Sequence, residues 1–183
     1  GGSVYFLFVS ALHPRKNVTK LFEAFDLFKT QTNSDVKLLM VGEKYWWNKE
    51  IKQVFEEMKY QSEVIFTGHI QSEELNKIYG SGLALTYVSY FEGFGIPLVE
   101  AMKCELPIIS SDKTSLPEVG GEAAIYVNPF SVEDIKNGML RVFKDQSLCE
   151  ELIENGRQRA KLFSWDKTAK IVWETIVEVH EEK

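Results

Sequence analysis

Apolar residues follow two alternating rhythms along this chain. Short, nearly continuous apolar runs occupy Val4 to Ser10, Val36 to Val41, Val64 to Thr67, Leu83 to Val88, Pro107 to Ser110 and Ala123 to Val127. Runs this short and this free of polar alternation predict strands covered on both faces. Between them the spacing changes to i, i+3, i+4, i+7, as in Val18, Leu21, Phe22, Phe25 and Phe28, and again in Ile51, Val54, Phe55 and Met58. Those segments predict helices. Ser72 is expected to cap a third helix running to about Tyr79, and Pro97 to open a fourth, since its missing N–H costs nothing in a first turn. After Pro129 the strand rhythm stops. Three helices are predicted there, Ser131 to Lys144, Ser147 to Leu162 and Trp165 to His180, the last with a stripe of Ala169, Val172, Trp173 and Ile176. Strands alternating with helices predict an α/β fold, a doubly wound parallel sheet of about six strands with a C-terminal helical extension, in one domain over residues 1–183. Gly1-Gly2-Ser3 reads as a cloning remnant.

In such sheets ligands bind beyond the carboxyl ends of the strands. That edge is made of five loops: Ser10 to Asn17, Gly42 to Trp47, Gly68 to Ile70, Ser89 to Gly95 and Ser111 to Ser115. The fourth runs into Glu92-Gly-Phe-Gly-Ile-Pro-Leu-Val-Glu100, two acids either side of a glycine-rich turn and a helix start. Gly93 and Gly95 admit conformations and close approaches that a side chain would block. The helix end offers free N–H groups and partial positive charge to an anion. Taken alone, the turn is equally well explained by a capping acid and a surface acid. The first loop, Ser10-Ala-Leu-His-Pro-Arg15-Lys16-Asn17, puts two cations on the same edge, with Asn17 expected to cap the helix that follows. Alone it is also an ordinary solvated basic turn. Together the two loops suit a diphosphate.

Composition narrows the partners. A 44% hydrophobic content over 183 residues is ample for a core. The net charge of −6, with bases scattered among acids, argues against duplex nucleic acid or an anionic membrane as main partner. Cys104 and Cys149 form no CxxC pair and have no metal-ligand spacing with His13, His69 or His180, so they read as reduced core residues of a cytoplasmic protein. No apolar run approaches the ~20 residues of a membrane span, and no signal peptide is evident. The G-x-G-x-x-G and G-x-x-x-x-G-K-[ST] turns are absent, which disfavours NAD and ATP-hydrolysis chemistry. Trp46 and Trp47 cannot both face the core and suit a ligand or domain interface, whereas Trp165 and Trp173 are expected to pack in the core of the tail helices. His69 and Ile70, after the third strand, lie where backbone groups could read a base edge; a plain surface turn explains them as well.

Glu92-Gly-Phe-Gly-Ile-Pro-Leu-Val-Glu100-Ala-Met, Ser115-Leu-Pro-Glu118-Val-Gly-Gly and Phe163-Ser-Trp165 together resemble the donor-binding half of retaining glycosyltransferases of the GT-B fold, glycosyltransferase group 1, in its mannosyl- and glucosyltransferase branch. The resemblance covers nearly the whole chain. It implies that Glu100 binds ribose hydroxyls, that Glu92, with Gly93 and Phe94, faces the donor sugar, and that N–H groups of Phe94, Gly95 and Ile96 meet sugar and phosphate. Ser10, Arg15 and Lys16 would hold the diphosphate, and His69 and Ile70 the base. The family often has Gly-Arg where this chain reads Ser10-Ala11, leaving Arg15 to take that cation's place.

The resemblance also implies two Rossmann-like halves, with the acceptor site on the N-terminal one. This chain then corresponds to an excised second half, weakly binding and barely active, whose tail helix from Trp165 would cross to the other half with its apolar face partly exposed. The implied reaction is hexosyl transfer from a nucleotide diphosphate sugar, GDP-mannose or a UDP-sugar, to a hydroxyl of a glycan or lipid-linked acceptor, in polysaccharide biosynthesis. It proceeds with retention, without metal or other cofactor, and membrane contact arises only through the other half. Glu92 either positions the sugar and stabilises cationic character or forms a covalent glycosyl intermediate. Two alternatives keep related folds: a GT-B nucleotide-sugar epimerase or phosphorylase, and a non-catalytic flavodoxin-like signalling module. The latter would need acids at the ends of strands one and three, where Ser10 and Thr67 stand.

Overall fold

The computed structural model describes residues 3–181; Gly1 and Gly2, read above as part of a cloning remnant, lie outside them. Six strands, β1 (Tyr5–Val9), β2 (Lys37–Val41), β3 (Val64–Gly68), β4 (Ala84–Tyr87), β5 (Ile108–Ser111) and β6 (Ala124–Val127), form one all-parallel sheet in the order β3-β2-β1-β4-β5-β6. The strands match the predicted runs, trimmed at some ends and lengthened by Gly68 in the third and by Ser111 in the fifth. Strand order reverses between β1 and β4, so the loops that follow these two strands flank the crevice where doubly wound sheets take ligands.

Alternation along each strand divides the core between the two faces. In β1, Phe6 and Phe8 point into one layer while Leu7 points into the other. The first layer lies under α1 (Val18–Thr32) and α6 (Val132–Lys144), where Phe22, Phe25 and Phe28 are fully buried on the face predicted from their spacing. Truncating such a phenylalanine to alanine costs about 3 kcal/mol or more. The second layer is covered by α3 (Ser72–Ser81), α4 (Ile96–Lys103) and α5 (Leu116–Gly120), with Leu85, Leu98, Val99 and Leu116 at its centre. Helix α2 (Lys49–Glu57) is capped by Asn48, whose side chain accepts from the Ile51 N–H. Helix α7 (Gln146–Ala160) packs against α4, and α8 (Trp165–Glu181) ends the described chain.

Three expectations need correction, and one short helix was not predicted. Ser72 does not cap α3; it is the first helical residue, and Gln71 before it makes no side-chain cap. Asp145 rather than the region of Ser147 starts α7, accepting from the Leu148 N–H. Helix α5, with the tight turn Gly121–Ala123 after it, was hidden because Leu116-Pro-Glu-Val-Gly is too short to show a helical period. Trp165 and Trp173 are not core residues: they are 75% and 66% exposed, on a helix whose Ile171, Val172, Ile176 and Val179 are also exposed. A helical apolar stripe reports that a helix has a face suited to a partner, not that the partner lies in the same fold.

Candidate functional site

The loop after β1 and the loop after β4 meet on one rim of the sheet and are stitched together. The Tyr90 N–H donates to the Arg15 carbonyl at 2.9 Å, and Arg15 Nη1 donates to the Phe91 carbonyl at 3.2 Å. Asn17 was expected to cap α1, but its left-handed backbone (φ 59°) turns the side chain elsewhere. Its Nδ2 donates to the Val88 carbonyl at 3.0 Å and the Pro129 carbonyl at 2.7 Å, tying the first loop to the ends of β4 and β6.

At the centre of this junction Glu92 receives both cations. Lys16 Nζ lies 2.5 Å from Oε1 and Arg15 Nη1 2.9 Å from Oε2. Lys16 and Glu92 are buried, whereas the Arg15 side chain is 46% exposed. Lys16 also donates to the Tyr87 hydroxyl, which leaves one of its three N–H groups uncommitted. Burial pushes the Glu92 carboxyl up, but the hydrogen bonds and charge supplied by Lys16, with the Arg15 guanidinium, outweigh it and hold the group below the usual carboxylate range. Burial, with neighbouring Arg15, pulls Lys16 below the ordinary lysine value despite Glu92. Burial also raises the Tyr87 phenol, and the Glu92 charge raises it further, so this hydroxyl stays protonated.

The glycine-rich turn leads from this cluster into α4. Gly95 is left-handed (φ 105°), and a Cβ there would stand 2.6 Å from the Leu116 side chain, so both backbone and packing require glycine. Gly93 differs: it is not left-handed, and a Cβ would meet nothing within 4 Å. Nothing within the fold demands glycine at 93, which corrects the conformational part of its expected role. The turn is fastened from β5's side, where Ser115 Oγ donates to the Glu92 and Phe94 carbonyls and Thr114 Oγ1 accepts from the Glu92 N–H. The N–H groups of Gly93, Phe94 and Gly95 find no acceptor among the described residues, and Ile96, first in α4, has no preceding turn to bond. A helix end with free N–H groups thus faces outward beside the buried ion cluster.

Glu100, one turn inside α4, is half-buried and accepts from the Tyr79 hydroxyl of α3 at 2.7 Å. It also lines a cavity of about 410 Å³ on the outer face of α4, together with Phe94, Ile96, Val99 and residues 162–165 of the turn into α8. Ser10 is half-buried at the end of β1. His69 is exposed with its N–H 3.3 Å from a Glu43 carboxylate oxygen, and Ile70 packs against the second core layer. Trp47 is partly buried against the first core layer, while Trp46 stands 49% exposed with its ring 4.9 Å from that of His13. Cys104 and Cys149 are free thiols, as expected, each partly buried and packed against one of the two core layers. Tyr79 and Tyr87 were not anticipated, because each sits in an apolar stripe where a tyrosine reads as core.

Among the described residues no group of three or more His, Cys, Asp or Glu side chains could hold a metal ion, and no helix is long and apolar enough to cross a membrane.

The sequence model of the glycosyl transferases group 1 family matches residues 1–159. The chain is similar to O-antigen chain mannosyltransferase B of Escherichia coli, with 33% identity over 162 residues that cover 88% of this chain and 42% of that relative. Its fold is that of sucrose-phosphate synthase from Thermosynechococcus elongatus, with a TM-score of 0.87 and 25% identity over 99% of this chain and 46% of that one. Anabaena HepE, solved with UDP and glucose, superposes at a TM-score of 0.84 with 20% identity, over 96% of this chain and 48% of that one. The chain therefore spans less than half the length of each. The all-parallel sheet with its helical extension is the C-terminal, Rossmann-like half of GT-B glycosyltransferases, and the chain belongs to the glycosyl transferases group 1 family.

Proposed function

We propose that this chain binds the nucleotide diphosphate sugar of a retaining hexosyltransferase, with mannose from GDP-mannose the favoured donor. One observation carries the reading: Arg15, Lys16 and Glu92 converge beside the open N-terminus of α4, at the point where strand order reverses. The diphosphate would lie across the free N–H groups of residues 94–96, within reach of exposed Arg15 and of the uncommitted Lys16 N–H, with Ser10 alongside. The sugar would fill the open space before Gly93, where the fold leaves room, and face Glu92. Glu100 would take the ribose and the segment at His69 and Ile70 the base. The mannose assignment is supported by the names of similar proteins, among them O-antigen chain mannosyltransferase B.

As the glycosidic bond breaks, negative charge grows on the leaving diphosphate. Cations and a helix N-terminus fixed before the reaction stabilise that charge more in the transition state than in the ground state. Two ion pairs keep Glu92 ionised but hold its electron pairs, which favours stabilising cationic character at the anomeric carbon over nucleophilic attack. The acceptor hydroxyl would be a glycan's or a lipid-linked sugar's, presented by a further N-terminal half in the whole protein.

Titration with GDP, UDP and ADP tests the donor reading. One of them is expected to bind this chain in the micromolar to millimolar range; binding of none would overturn it. Anomeric analysis of products made by a full-length protein carrying this chain tests retention.

A further inference from the structure

We propose that Tyr79 is a positioning residue that sets Glu100 for the ribose diol of the donor, an inference that rests on the donor reading above. Tyr79 is fully buried near the end of α3, and its O–H donates to Glu100 Oε2 on α4 at 2.7 Å. Half-buried Tyr5 and Tyr126 spend their hydroxyls on backbone: Tyr5 donates to the Ile78 carbonyl and Tyr126 to the Gly121 carbonyl. Tyr79 instead reaches a flexible carboxylate that lines an open cavity. Burial, and then the Glu100 charge, push the phenol far above its ordinary value, so it remains a donor at every physiological pH.

The arrangement has a directional consequence. A glutamate on a helix surface has three side-chain torsions to fix, and an unfixed one gives back in ordering entropy part of what its hydrogen bonds contribute. The phenol holds one oxygen from below, through a rigid ring packed in the core. The Oε1 atom and the remaining lone pair of Oε2 are left to accept from two adjacent hydroxyls, the chemistry of a vicinal diol. Tyr87 plays a parallel part at Lys16, but there the partner is already held by Glu92.

The test is calorimetric titration of this chain with GDP and UDP and with their 2′,3′-dideoxy forms. The wild type is expected to prefer the ribonucleotide by about 10- to 100-fold, the worth of hydrogen bonds to a charged group. Tyr79→Phe keeps the buried ring and is expected to reduce that preference about 10-fold while leaving affinity for the dideoxynucleotide unchanged. In a Glu100→Ala background, where the preference is already lost, Tyr79→Phe should change nothing further. If Glu100→Ala abolishes the preference and Tyr79→Phe leaves it intact, the positioning role is wrong and the ribose assignment stands. Equal weakening of both nucleotides by Tyr79→Phe would show a structural effect alone and also overturn it. If Glu100→Ala leaves the preference intact, the ribose assignment itself fails, and the role of Tyr79 with it.

Discussion

Glu92 and Glu100 stand eight residues apart around one turn, yet the fold treats them oppositely. Glu92 is buried and clamped by two cations; Glu100 is half-exposed and held by one neutral phenol. The first belongs to the electrostatic skeleton of the crevice, because removing it leaves buried Lys16 with the neutral Tyr87 hydroxyl and no counter-charge. The second lines an open cavity, where the proposed function gives it the ribose. A shared residue type in a motif thus conceals a division between a carboxylate clamped by two cations and one held by a single phenol.

Stability should separate them most. Glu92→Ala is expected to lose about 3 kcal/mol in denaturant unfolding, the cost of breaking a buried ion pair from one side. Glu100→Ala should lose about 1 kcal/mol, the cost of leaving one buried hydroxyl unpaired. Similar losses would dissolve the distinction. Gly95 links the two glutamates. Gly95→Ala, strained at φ 105° and crowded by Leu116, should cost about 2 kcal/mol and displace the free N–H groups at the start of α4. Unfolding together with nucleotide titration would show whether both effects appear.

Arg15 is more exposed than either glutamate. Its side chain is 46% exposed, so Arg15→Ala should cost under about 1 kcal/mol of stability. The weakening of nucleoside diphosphate binding should be out of proportion, roughly 10-fold. The smallest effect concerns pH. The folded pKa of Glu92 lies below its ordinary value of 4.5, so below that pH the unfolded chain binds more protons. The stability Glu92 contributes is therefore complete above pH 4.5 and lost as pH falls through the lowered value. Glu92→Gln should flatten that part of the acid-unfolding profile; an unchanged profile would assign the acid sensitivity elsewhere.

Much of this was legible in the sequence for a definite reason. The core of a doubly wound sheet imposes its own period, so Phe22, Phe25 and Phe28 announced α1 and the apolar runs announced the strands. The two site loops could be named because each follows a strand, and strand ends define the ligand edge. What escaped was chemistry carried by residues whose spacing already had an explanation. Tyr79 and Tyr87 sit at apolar positions, so their hydroxyls were invisible to a pattern that counts only burial. Asn17 stood at a cap position, but its left-handed backbone, set by the tertiary fold, sent its amide to Val88 and Pro129. The stripe on α8 was visible, but where its partner lies is not a property of local periodicity.

The central claim is that a diphosphate is held between the first loop and the N-terminus of α4. Calorimetry of the wild type and Lys16→Ala with a nucleoside diphosphate and its parent nucleoside tests it most directly. The account predicts that the variant loses about 30-fold in affinity for the diphosphate, the scale of a charged hydrogen bond, and less than about 3-fold for the nucleoside. Equal losses for both would contradict it.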